Sequence, residues 1–329
     1  MARSLMPAND SEVTKGVVFA IIATFCWASN FILPYVTGEF SIYDLLLARF
    51  VCAGFFGLLY IPRSFKYLRK MSSTQCLIGL GLGIVGAPAY GSFIAASITT
   101  GGPAGVAAFL GAVPVLQALL GNSGANYISW SRLATPMFLL GGGLLLVNLE
   151  SLSSQGNAPS PILGIVFAFG AVLCWLGYSF GNQRALVWLP CDSTGTWACL
   201  AGLGAGLGAV IALPFLWEME LLKLNGSNLL TPSALHLYGW ALFIALLCSM
   251  IGNIFWYEAC RRLPMVLSGQ LIAFESIFAV TLGFCFLGRL PTIAEVIGIC
   301  IVVVSTIISL KIILPTTQVA THGARLRKR

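Results

Sequence analysis

Apolar segments long enough to cross a bilayer recur from one end of this chain to the other. Ten can be drawn, at 16–37, 42–62, 75–98, 103–121, 132–149, 161–182, 193–214, 236–257, 264–287 and 292–314. A helix needs roughly 20 predominantly apolar residues to span the hydrocarbon layer, with a lower limit near 17. Water is missing from that layer, so a spanning backbone must satisfy its own hydrogen bonds as a helix or a closed barrel. A barrel would show short strands of alternating polarity, and none is present. The expected fold class is therefore an all-α polytopic membrane protein. Only 9% of the 329 residues are charged and 58% are hydrophobic, against roughly 25% charged in a soluble domain. That composition excludes a water-soluble enzyme, a disordered chain and a disulfide scaffold.

The basic residues test the layout. Of the 18 Lys and Arg, 15 fall in segments on the N-terminal side of the expected membrane. The other side carries Lys223 and Arg289, and Arg49 lies inside the second span. Cytoplasmic loops are enriched in Lys and Arg, so this bias predicts ten spans with both termini cytoplasmic. It also explains the net charge of +7 without a nucleic-acid partner. The first apolar run is too long for the core of a cleaved signal and is read as a span.

The polar stretch ESLSSQGNAPSP (150–161) divides the chain into two sets of five spans. The expected organisation is a cytoplasmic segment 1–15, a first five-helix repeat 16–149, an outside linker 150–160, a second repeat 161–314 and a basic cytoplasmic tail 315–329. Span 1 reads AIIATFCWASNFILP (20–34) and span 6 FAFGAVLCWLGYSFGN (167–182). Aligning their Cys-Trp pairs sets Trp27 on Trp175, Asn30 on Tyr178 and Pro34 on Asn182, and the i, i+3, i+7 spacing keeps each trio on one helix face. Five is odd, so the second repeat enters the membrane from the opposite side. Inverted repeats are a signature of transporters, whose halves rock about a site near the midplane.

Polar groups at depth are the candidate site. Glu275 lies eleven residues beyond Pro264, roughly 16 Å along a helix and close to the bilayer centre. A carboxylate there must face the bundle interior or water, and it suits a proton carrier or a counter-charge for a cation. Arg49 is the other deep charge, with Glu275, an anionic solute or Asp44 as alternative partners. Gln270 shares the span of Glu275. Trp27 and Trp175, near the centre, read either as ordinary packing or as walls for a flat or apolar solute. Trp130, Trp188, Trp197, Trp217, Trp240 and Trp256 lie near helix ends and read as an aromatic belt. Tyr90 follows Gly86 and Pro88, a pair expected to kink its helix. Gly-x-x-x-Gly spacings such as Gly202/Gly206 allow tight packing in a monomer or a homodimer.

Enzymatic chemistry finds no support. Gly177-Tyr-Ser-Phe-Gly181 fits a nucleophile elbow, but that motif needs a strand–turn–helix context and a histidine. The histidines are His236, near an outside helix end, and His322, in the tail. No metal-ligand cluster, cofactor motif or ATP-binding loop is recognisable.

The segments CWASNFILP (26–34), LLARF (46–50), GNIFWYEACRRLP (252–264) and GQLIAFESIFA (269–279) resemble the EamA branch of the drug/metabolite transporter superfamily. The last segment looks like one group of inner-membrane proteins within it. The resemblance covers residues 16–314 and implies a bacterial inner-membrane transporter with a central cavity. Its matching positions here are Trp27, Tyr90, Trp175, Trp256 and Glu275, with Arg49 as a motif residue. Two departures stand out: Glu275-Ser276 replaces the usual Glu-Pro, and Arg289 stands where an acidic residue is common. The branch moves amino-acid, nucleotide-like and S-adenosylmethionine-like solutes and leans towards export, so the expectation is a secondary transporter of a small organic metabolite with Glu275 available for proton coupling. The alternatives are a facilitative uniporter or channel, and a membrane sensor that binds a ligand without moving it.

Overall fold

A computed structural model of the chain describes residues 10–123, 128–149, 159–189, 193–288 and 290–326. Most of the expected linker, Arg289 and the last three residues of the tail lie outside these.

The helices are α1 (Asp10–Ala28, continued by a 3-10 turn at Ser29–Ile32 and by Leu33–Val36), α2 (Ile42–Leu68) and α3 (Ser73–Ile84, closed by a π-helical segment at Val85–Ala89). Then come α4 (Tyr90–Ser123), α5 (Trp130–Val147), α6 (Pro161–Trp188) and α7 (Thr194–Glu218). The last are α8 (Pro232–Ile244, a π-helical segment Ala245–Gly252, then Asn253–Arg262), α9 (Met265–Leu271 and Ala273–Leu287) and α10 (Ile293–Leu326). Local chemistry sets several of the starts. Ser41 and Asp44 form a reciprocal capping box at α2, Ser72 and Gln75 do the same at α3, and Thr231 caps α8. Such caps satisfy the free N–H groups of a first helical turn.

Among the described residues, nine helical segments are long and apolar enough to cross a membrane. The tenth expected span, 103–121, is part of α4 and not a separate helix. Yet α4 is not straight. The Tyr90 ring lies 5.2 Å from that of Trp175, and the Trp175 indole N–H donates to Gln117 Oε1 at 3.0 Å. A straight helix would hold residues 90 and 117 roughly 40 Å apart. Gly101 meanwhile packs on Gly164, near the start of α6. The chain therefore runs down α6, reverses between Gly101 and Gln117, and returns along the same neighbour.

The packing pattern has a matched form. Helix α2 lies against α7, α4 against α9 and α5 against α10. Helix α6 lies against α3 and α4 as α1 lies against α8 and α9, and α3 meets α7 as α8 meets α2. At the α2–α7 crossing the backbones touch: a Cβ built on Gly54 would stand 2.8 Å from Gly206 Cα. Each of those glycines lies twelve residues into its helix. Only the absence of a side chain permits so close an approach. The outer surface carries large apolar groups such as Phe138, Ile162 and Leu77 at 82%, 78% and 67% exposure, as lipid contact requires. The chain is an integral membrane protein.

Candidate functional site: a central aromatic cavity

The two π-helical segments shape the site. A π-helix inserts an extra residue per turn and re-aims the side chains beyond it. In α3 the cause is Pro88, which has no N–H to donate and sits inside the segment. The kink expected at Gly86 and Pro88 thus takes this form. The π-helical segment of α8 contains no proline, and the sequence carries no comparable signal. Each segment presents a glycine to an aromatic ring. A Cβ on Gly86 would stand 2.5 Å from the Tyr178 ring, and one on Gly252 3.0 Å from the Trp27 indole.

Between these elements lies a cavity of about 570 Å³. Of the residues singled out in the sequence, Trp27, Asn30, Arg49, Tyr90, Trp175, Tyr178 and Glu275 line it. Aromatic rings form one continuous wall. Trp27 meets Trp175 edge-on at 5.4 Å, and Trp175 lies 5.2 Å from Tyr90 and 5.5 Å from Tyr178. Both indoles are held from behind. Trp27 Nε1 donates to the Cys248 carbonyl at 3.2 Å, an oxygen in the π-helical segment of α8. Trp175 Nε1 donates to Gln117, whose Oε1 also accepts from Ser179 at 3.0 Å. A tryptophan pinned by its N–H makes no further polar demand on the cavity.

The cavity is asymmetric along the length of the bundle. Its lining reaches Pro34, Tyr35 and Ile42, where α1 ends and α2 begins, and Asn148 beyond α5. At the other end the lining stops at Tyr178, Asn253 and Tyr257. There the Tyr178 hydroxyl donates to that of Tyr257 at 3.3 Å. One turn further, Gln183 donates to the Cys260 and Leu263 carbonyls. Beyond them Arg262 pairs with Glu258 and, at 3.0 Å, with Glu12 of α1.

Arg49 and Glu275 face this space from α2 and α9. Arg49 is 8% exposed, its guanidinium lies over the Phe50 ring at 4.9 Å, and its Nε has no hydrogen-bond partner. Among the described residues neither Arg49 nor Glu275 forms an ion pair within 4.0 Å, although each lies in the other's electrostatic field. Asp44 is no partner for Arg49. Its carboxylate accepts from the backbone N–H groups of Ser41, Lys223 and Leu224, tying α2 to the loop before α8.

Two singled-out residues sit elsewhere. Trp256 is 1% exposed and packs behind Trp27 with ring centroids 5.0 Å apart. Gln270 is fully buried off the cavity with both side-chain polar atoms unpartnered. Five residues apart, Gln270 and Glu275 stand about 140° from one another around a helix, and Gln270 is on the side away from the cavity. The belt reading is also corrected at two places. Trp256 is buried, and Trp197 is buried with its N–H on Asn182 Oδ1 at 2.8 Å. Trp130, Trp188 and Trp217 stay exposed near helix ends. Sequence reasoning missed Gln117 and Cys248. A glutamine inside the apolar run AVPVLQALL (112–120) was the available signal for the first. A backbone carbonyl leaves none for the second.

Comparison with known proteins bears on this geometry. Residues 162–311 match the EamA-like transporter family. The whole chain is similar to the inner membrane protein YtfF of Escherichia coli (strain K12). The two are 26% identical over 312 residues, covering 90% of this chain and 95% of that protein. It is also similar to the uncharacterized transporter YwfM of Bacillus subtilis (strain 168), at 23% identity over 66% of this chain and 67% of that one. A protein of known crystal structure shares the fold with a TM-score of 0.68 and 18% identity, over 90% of this chain and 96% of its own.

Proposed function

We propose that this chain, whose second half is EamA-like, is a ten-span secondary transporter of a small organic metabolite working by alternating access. Residues 16–149 and 161–314 are its two inverted repeats, and the reversal inside α4 supplies the tenth crossing. The matched contacts support this reading. Exchanging α1–α5 with α6–α10 carries the pairs α2–α7, α4–α9 and α5–α10 onto themselves and turns the α1–α8 contact into α6–α3. Two repeats of opposite orientation can each adopt the other's conformation, which switches the open end of a shared site.

The observation that carries the proposal is the cavity itself. It is walled by Trp27, Tyr90 and Trp175, reaches one end of the bundle and is shut at the other by the Tyr178–Tyr257 contact. With both termini cytoplasmic, as the basic residues suggest, this is the outward-facing state and the tyrosine pair is the inner gate. Glu275 supplies a carboxyl group that can bind and release a proton within the cavity, which supports proton-coupled export. The linker 150–160 joins the repeats on the outside.

Metabolite release should be screened in cells with and without the gene, and the solute found should then be followed in proteoliposomes. The expected result is counterflow that responds to a pH gradient and is lost in Glu275→Gln at unchanged expression. Transport that ignores the gradient and survives Glu275→Gln would leave a facilitative uniporter. Saturable binding without counterflow would leave a sensor.

A further inference from the structure

We infer that the C-terminal end of α2 is a binding site for an anionic phospholipid, with the headgroup phosphate on Arg63, Lys66 and Lys70 and an acyl chain along Phe55 and Leu59. None of these residues lines the central cavity, so the site stands apart from whatever the cavity carries.

Spacing brings the five residues together. Steps of four, four, three and four residues along α2, carried into the turn at Lys70, keep them on one helix face. Phe55 and Leu59 are 54% and 55% exposed, and the three cations are exposed as well. From Phe55 to Arg63 a helix rises roughly 12 Å, most of the roughly 15 Å of one hydrocarbon leaflet. The stripe is therefore apolar over the depth of an acyl chain and cationic where headgroups begin.

Charge decides the class of lipid. At the same end of the bundle Lys15 and Arg262 are compensated by Glu12 and Glu258. Among the described residues Arg63, Lys66, Arg69 and Lys70 form no ion pair. Lys66 lies over the Tyr67 ring at 6.0 Å and Arg69 over the Phe65 ring at 5.7 Å, contacts that neutralise no charge. A helix C-terminus carries the equivalent of about half a negative charge, far short of four cations. A positive surplus thus stands at headgroup level. Arg63 and Lys66 are one turn apart, roughly 5–6 Å between Cβ atoms, so both can reach one phosphate, and a guanidinium grips phosphate oxygens in pairs. A zwitterionic lipid would bring its own ammonium group against the same cations. A headgroup with a phosphate and no amine, such as phosphatidylglycerol, does not.

Lipid titration of the purified full chain in detergent tests this. Dioleoyl phosphatidylglycerol and dioleoyl phosphatidylcholine are added separately, bound lipid is counted by native mass spectrometry, and the melting temperature is followed, which a ligand of the folded state raises. The expected result is binding of the anionic lipid roughly ten-fold or more tighter than of the zwitterionic one, with a rise in melting temperature for the first alone. The triple variant Arg63→Gln/Lys66→Gln/Lys70→Gln should lose that preference, at roughly five-fold per cation, with its lipid-free melting unchanged. The triple variant Arg132→Gln/Arg184→Gln/Lys311→Gln removes the same charge from other helices and should keep it. Benzoylphenylalanine in place of Leu59, in an otherwise unaltered chain, should photo-crosslink phosphatidylglycerol. Equal binding of the two lipids overturns the inference. So does equal loss in both triple variants, which would mark diffuse surface charge, or displacement of the lipid by inorganic phosphate at matching concentration. Absence of the crosslink at position 59 overturns it as well.

Discussion

Gln117→Leu isolates one interaction on which the cavity wall depends. The glutamine is 1% exposed, and its Oε1 accepts from Trp175 Nε1 and Ser179 Oγ, both at 3.0 Å. Leucine fills a similar volume and removes both acceptors. The serine hydroxyl can turn to a carbonyl of its own helix, a common refuge for such groups. The indole N–H cannot, because its direction is fixed by the ring. Hydrogen bonds between membrane helices average about 0.6 kcal/mol, and a buried donor left alone forfeits about 1–3 kcal/mol. The net expectation is a loss of about 1–2 kcal/mol, equivalent to roughly a five- to thirty-fold change in an equilibrium constant. Part of it appears as a lower melting temperature in detergent. The rest appears as weaker solute binding, because Trp175 is no longer held against Tyr90. Scanning fluorimetry and a binding isotherm on the same preparation measure both. Wild-type stability together with wild-type affinity in Gln117→Leu would refute both the anchoring role and the reversal of α4 that brings residue 117 to Trp175.

Three further outcomes follow from the same geometry. Gly54→Val drives a side chain into the Gly206 backbone and should destabilise the α2–α7 crossing by about 1–3 kcal/mol, whereas Gly177→Ala, with nothing within 4 Å, should be nearly silent by thermal melting. Tyr257→Phe removes the 3.3 Å hydroxyl contact at the closed end, about 0.5–1.5 kcal/mol, so peptide-resolved thiol labelling of the cavity residue Cys248 in inside-out vesicles should rise roughly two- to thirteen-fold. Trp27→Ala should weaken solute binding far more than Trp240→Ala, because Trp240 lies off the cavity beside His236; equal effects in a binding assay would remove Trp27 from the wall.

Much of this was legible in the sequence because hydropathy and depth are one-dimensional properties. Among the described residues nine of the apolar runs can be recognised as helices long enough to span, and the deep charges Arg49 and Glu275 do face the interior. The remainder depends on angle, which hydropathy does not report. Trp197 and Trp256 sit near helix ends as a belt would, yet face inward. Gln270 and Glu275 share a span, but a spacing of five residues sets them about 140° apart around the helix. Pro88 announces the π-helical segment of α3, while that of α8, where Gly252 packs on Trp27, leaves no mark in composition. Tyr90 and Gln117 both reach Trp175 while Gly101 packs on Gly164, so the run 90–123 doubles back along α6.

The account as a whole requires that the two five-helix halves enter the membrane from opposite sides around their shared cavity. Reporter fusions at residue 150 and at the C-terminus of the full chain, read for compartment in intact cells, test that requirement most directly. The expected result is a reporter at 150 on the outer side and one at the C-terminus in the cytoplasm. Both reporters in the same compartment would contradict the inverted arrangement and with it the alternating-access mechanism.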